Sequence, residues 1–168
     1  MKSYSILTQA IFASLLAALV ASAGATSNAN KDTHMNQTAT GPFDVKLQPL
    51  DAYNRDPDAA LGRMSIDKQF HGDLEATSKG EMLSTGVPGP KGSGAYVAIE
   101  RVTGTLHGKH GSFALAHNAT MTDGLPYLNI IVAPGSGTGD LVGLSGQMRI
   151  DIAPGGKHSY VFDYTLAR

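Results

Sequence analysis

Residues 92–121 read GSGAYVAIERVTGTLHGKHGSFALAHNATM, and the fold follows from how this stretch divides. From Ala95 to Leu106 β-branched and small residues dominate, while from Ser112 to Met121 apolar residues alternate with small or polar ones. Between them lies His107-Gly108-Lys109-His110-Gly111, whose glycines supply the positive φ that tight connections demand. These features predict two long strands folded into a hairpin with a loop of about five residues. Side chains alternate along a strand, so Tyr96, Ala98, Glu100, Val102 and Leu106 share one face. Phe113, Leu115, His117, Ala119 and Met121 share one face of the partner. Pairing Leu106 with Phe113 sets Val102 opposite His117 and Glu100 opposite Ala119. Glu100 and His117 are then diagonal neighbours, roughly 7–8 Å apart at the backbone. The opposite assignment buries Val97 and Ile99 and leaves Glu100 a solvated charge. Register decides between them, because a slip of one residue inverts every side chain.

Working outward, the chain of 168 residues is 42% hydrophobic and 16% charged with a net charge of −1, as one soluble domain would be. Its 20 glycines, 8 prolines and lack of tryptophan suit strands joined by tight turns better than a helical bundle. No basic run or stripe marks a nucleic-acid partner. Residues 1–25 differ in kind: Lys2, then an apolar run from Ile6 to Val20, then Ala21-Ser22-Ala23-Gly24-Ala25. A basic start, an apolar centre and small residues at the end predict a signal peptide cleaved after Ala23 or Ala25. The run is shorter than the roughly 20 residues a membrane span needs, although an uncleaved anchor is the alternative. The expected product is periplasmic or secreted, without stable membrane association after cleavage. With no cysteine there is no disulfide and no lipidated cysteine, so stability rests on the core. Residues 26–40, polar and aperiodic, are expected to be a disordered lead-in to a domain at 41–168.

Alternation continues through that domain. Phe43, Val45 and Leu47 mark a first strand; Met64, Ile66, Lys68 and Phe70 share a face of the second; Leu74, Ala76, Ser78, Gly80 and Met82 share a small-residue face of the third. After the central hairpin come Tyr127–Val132, then Met148, Ile150 and Ile152, then His158, Tyr160, Phe162, Tyr164 and Leu166. These make eight amphipathic strands with no helical stretch. The expected fold is all-β, an eight-stranded antiparallel β-barrel, wide enough for packed side chains or one small ligand. A two-sheet sandwich is the alternative.

From about Gly41 to Leu166 the chain resembles a bacterial domain-of-unknown-function (DUF) family with an allene oxide cyclase-like β-barrel fold. The likeness is carried by KQFHGDL (68–74), GEML (80–83), AYVAIERVTG (95–104), GSFALAH (111–117), PGSGTGDL (134–141) and HSYVFDY (158–164). The bend GTGDLVGLSG (137–146) is also similar to the glycine-rich bend of allene oxide cyclases and dirigent proteins. The resemblance implies the barrel. It transfers no reaction and no catalytic residue.

If the apolar faces point inward, Lys68, Tyr96, Glu100, Phe113, His117, His158, Tyr160 and Tyr164 become candidate ligand-binding residues. Buried charge must be paired, so a Lys68–Glu100 or Glu100–His117 contact is the minimum this interior requires. Such a polar cluster in an apolar space fits a small-molecule site, or equally a network that locks the barrel register. For catalysis the candidates are Glu100 and His117: a Glu100 raised in pKa by its surroundings, with His117 beside it, could move a proton. The functional expectations are therefore a barrel binding a small apolar molecule, a cofactor-free isomerase or cyclase in the same cavity, or a packed barrel whose outer surface meets other proteins. No cofactor and no metal site is implied, since His107 and His110 share one turn without two further zinc ligands. Pro134-Gly135-Ser136-Gly137 reads as a turn, and the bend after it lacks the lysine and helix of a phosphate loop. Oligomeric state and ligand identity are not encoded in any of these patterns.

Overall fold

A computed structural model describes residues 36–56, 60–87 and 92–167. The expected signal peptide at 1–25 and most of the expected lead-in at 26–40 lie outside the described residues. The strands are β1 (Gln37–Leu50), β2 (Leu61–Phe70), β3 (Leu74–Val87), β4 (Ser93–Leu106), β5 (Lys109–Thr122), β6 (Leu125–Val132), β7 (Thr138–Gly139), β8 (Ser145–Ile152) and β9 (His158–Thr165). They pair in the order β4-β3-β2-β1-β9-β8-β6-β5, and β4 pairs β5, which closes the sheet. Every pairing is antiparallel. The result is an eight-stranded barrel with the two-residue β7 clipped onto β5 and no helix among the described residues.

The central hairpin is tighter than expected. Leu106 pairs with Lys109, so the loop is His107-Gly108 alone, with φ of 46° and 79°. Positive φ at both central positions is the two-residue turn whose twist matches that of the strands, which is why it displaces the five-residue loop. Val102 consequently faces Phe113, and Glu100 faces Leu115. This register lies four residues from the expected one. An even displacement preserves parity, so Ala98, Glu100, Val102, Phe113, Leu115, His117 and Ala119 are all buried as read. Val97 and Ile99 are more than half exposed, which rules out the inverted assignment.

β1 begins at Gln37, so the last four residues of the expected lead-in are strand, paired to β9 from Gln37↔Tyr164 onward. From that end Gln37 and Ala39 face inward, but only Ala39 is apolar and fully buried, while Thr38 points out to bond Asp163. One small apolar residue among polar ones leaves no visible period.

The interior has two levels. At the end holding the 71–73 and 107–108 turns, Leu74, Leu106, Phe113, Leu115 and Phe162 are buried to within 1% of completion. Phe113 stacks on Phe162 at 5.7 Å between centroids, and Phe162 on Tyr164 at 5.2 Å. The glycine-rich bend folds Leu141 and Leu144 into this layer, and the Asp140 N–H donates to His110 O at 2.9 Å. At the opposite end β2, β4 and β6 begin and β3 and β5 finish. There β6 and β8 are registered only through Ile130↔Met148 and Ile131↔Gln147, so the ladder between them stops short of that rim.

Candidate functional site

Between the packed level and the open rim, four successive strands each point one polar side chain inward: Lys68 from β2, Ser78 from β3, Glu100 from β4 and His117 from β5. Their placement follows from register. Gly80 stands opposite Glu100 and His117 opposite Ala98, so Ser78 and His117 reach Glu100 diagonally from the two neighbouring strands, while Lys68, opposite Ser78, reaches it across β3. Gly80 makes this possible: a Cβ there would lie 2.6 Å from both Cα and Cβ of Glu100. Any side chain at position 80 would push β3 off β4 at the carboxylate.

Lys68 Nζ donates to Glu100 Oε1 at 2.6 Å, His117 Nε2 bonds the same oxygen at 2.9 Å, and Ser78 Oγ donates to Oε2 at 2.5 Å. Glu100 is fully buried, and the Lys68 and His117 side chains are 5% and 3% exposed. The ammonium also lies 5.4 Å and 5.7 Å from the ring centroids of Phe43 and Phe70, in reach of their π faces. Burial is the largest influence on Glu100 and would raise its pKa. The His117 hydrogen bond, the Lys68 charge and the Lys68 and Ser78 hydrogen bonds outweigh it and hold the group at about 2. This reverses the expectation of a raised Glu100. Burial without partners raises a carboxyl, whereas burial with three donors lowers it. A general acid or base works best with a pKa near the working pH, and this carboxylate is a fixed anion there instead.

An ionised carboxylate only accepts, so His117 contributes Nε2–H to the bond and the imidazole tautomer is set. Ser78 was missed as a site residue. Its signal was present in the sequence, a lone hydroxyl on the small-residue face beside Lys68.

Above this cluster the rim opens into a mostly apolar cavity of about 700 Å³, lined among others by Leu61, Tyr96, Ala119, Met121, Tyr127 and Leu128. Of the eight expected ligand-binding residues, Tyr96 alone lines this cavity. Its hydroxyl pKa is raised, first by burial and then by the Glu100 charge, so the phenol sits within the field of the cluster. Lys68, Glu100 and His117 form the polar layer below. His158 packs on Phe43 with centroids 5.1 Å apart. Phe113, Tyr160 and Tyr164 belong to the packed level. The Tyr160 hydroxyl accepts Leu74 N–H at 2.8 Å and faces the carbonyls of Thr40 and His71 at 3.1 Å and 3.0 Å, and burial pushes it up to about 12. Tyr164 donates to Gln37 Oε1 and meets His107 Nδ1, each at 2.8 Å. Those two phenols staple chain segments. The rim residues Leu61, Tyr127 and Leu128 carried no sequence signal, because they surround unfilled space instead of filling a core. Among the described residues no three histidine or carboxylate groups converge as a metal site would require.

Residues 39–164 match the model of a family described as "Protein of unknown function (DUF3224)". A crystal structure of a protein of unknown function from that family, from Shewanella oneidensis MR-1, is 48% identical, with a TM-score of 0.73 over 80% of this chain and 99% of that one. No curated protein matches the chain.

Proposed function

The chain belongs to the DUF3224 family, and from that premise, which carries no activity with it, we propose that the barrel binds a small, largely apolar molecule in its open mouth. One observation carries this reading: a space of about 700 Å³ stays unfilled at one end of a barrel whose other end is packed solid. Small-molecule sites occupy roughly 300–1,000 Å³ and are mostly apolar with a few convergent polar groups, which describes this mouth and the layer beneath it. An apolar guest would gain roughly 25 cal/mol for each Å² it removes from water. The ionised, fully bonded Glu100 supports a binder over a cofactor-free isomerase or cyclase, which would need a group free to exchange a proton. Export to the periplasm or beyond is part of the proposal, and residues 1–25 support it.

The test is titration of mature protein with the neutral fluorophore N-phenyl-1-naphthylamine, alongside Ala119→Trp, which would fill the floor of the mouth. Saturable binding to wild type, lost in an Ala119→Trp variant of unchanged circular dichroism, is expected. Absence of saturable binding, or equal binding by the filled variant, would overturn the reading. Native mass spectrometry of protein purified from its own compartment should then show an adduct of a few hundred daltons.

A further inference from the structure

Tyr96 lines the mouth cavity, and His117 sits in the layer just beneath it; each carries a polar atom that the protein itself leaves unused. His117 lies diagonally between Glu100 on the packed side and Tyr96 on the mouth side, since Ala98 pairs with His117 and Tyr96 with Ala119. Its Nε2–H is taken by Glu100. Among the described residues nothing bonds Nδ1, and no buried side-chain nitrogen or oxygen lacks a partner, so Nδ1 must be open to interior space. On the mouth side the next inward residue, Ala119, lines the cavity, whereas on the other side Leu115 is completely buried. Tyr96 also lines the cavity, and its hydroxyl has no partner among the described residues. A neutral imidazole whose Nε2 carries the hydrogen offers a lone pair at Nδ1, and a phenol offers a donor.

We propose that the mouth selects molecules bearing a single hydroxyl head, an alcohol or a phenol, which donates to His117 Nδ1 and accepts from Tyr96 while the apolar body fills the rim. The inference rests on the mouth being a binding site. A carboxylate head is disfavoured, because among the described residues the cation beneath the mouth, Lys68, is already neutralised by Glu100 at 2.6 Å. A buried anion brought there would find no free charge to offset its desolvation.

The experiment compares 1-decanol, its methyl ether 1-methoxydecane and decanoate by calorimetric titration of the mature protein at neutral pH. Wild type should bind decanol about five- to tenfold tighter than the ether, which is what one satisfied neutral hydrogen bond supplies, and decanoate more weakly than decanol. His117→Gln places an amide nitrogen near the position of Nε2, so it keeps a donor for Glu100 and removes the acceptor at Nδ1. Its preference for alcohol over ether should fall to near one while ether affinity holds. Nitrogen-15 NMR of wild-type His117 supplies a check that needs no variant: an Nε2–H tautomer whose Nδ1 signal moves with decanol and stays put with the ether. Equal binding of alcohol and ether, tighter binding of decanoate, or an Nδ1–H tautomer would overturn the hydroxyl proposal and leave the mouth as a site. Failure of all three probes to bind would remove the site itself.

Discussion

The two ends of the barrel interior are built from the same alternating strands and reach opposite outcomes. At the packed end the inward positions carry Phe113, Phe162, Tyr164, Leu74, Leu106 and Leu115, and the bend adds Leu141 and Leu144 as a lid. At the mouth the inward positions Tyr96, Ala119, Met121 and Leu128 surround space instead of closing it, the β6–β8 ladder stops early, and about 700 Å³ is left unfilled. Polar groups follow the same division. The tyrosine hydroxyls of the packed end bond the chain's own backbone and side chains, while the Tyr96 hydroxyl at the mouth has no protein partner among the described residues. Between them the Lys68–Glu100–His117–Ser78 layer keeps charge inside the protein without leaving any of it unpaired. A barrel of this size thus separates a half that holds it together from a half free to meet something else.

The sharpest way to break that division is Phe162→Ala, which empties the packed end where Phe162 touches two rings. It should cost about 3–5 kcal/mol in urea unfolding, and a loss under 1 kcal/mol would mean this half is not the stabilising one. Lys68→Met should cost about 3 kcal/mol by leaving Glu100 buried without its cation, whereas the double change Lys68→Met/Glu100→Gln should recover most of that loss. A double variant no better than the single would show that the layer acts by packing alone.

Acid titration probes the same layer. Glu100 goes from an ordinary 4.5 to about 2 in the fold, so its contribution is complete above pH 4.5 and is lost as pH falls from there toward 2. The loss is about 3 kcal/mol, and the double variant should lack it when unfolding is measured across that range. The smallest stability effect belongs to the mouth: Leu128→Ala, at a partly exposed rim position, should shift unfolding by less than about 1 kcal/mol and still weaken fluorophore binding. A large stability loss with unchanged binding would erase the distinction between the two ends.

Much of this was legible before any coordinates. The Tyr96–Met121 alternation set which residues of the central hairpin face inward, and that reading survived a four-residue error in register because the error was even. The same parity kept Glu100 and His117 diagonal in either pairing, and the need to compensate a buried carboxylate pointed to Lys68. What escaped was of another kind. The two-residue turn was hidden because His107 takes positive φ without being glycine, and the start of β1 because a single inward alanine makes no pattern. Ser78 was visible as a face residue and silent as a ligand of Glu100.

By itself, then, the order of the side chains determined strand identity, the inward and outward sets and the closing of an antiparallel barrel, since these depend on a period of two that neighbours in the chain already display. The sign of the Glu100 shift and the location of the unfilled volume were decided only in three dimensions. The first depends on groups up to 49 positions apart, from Lys68 to His117, since a carboxylate rises or falls in pKa according to how many donors reach it, and the second on rim residues brought together from Leu61 to Leu128.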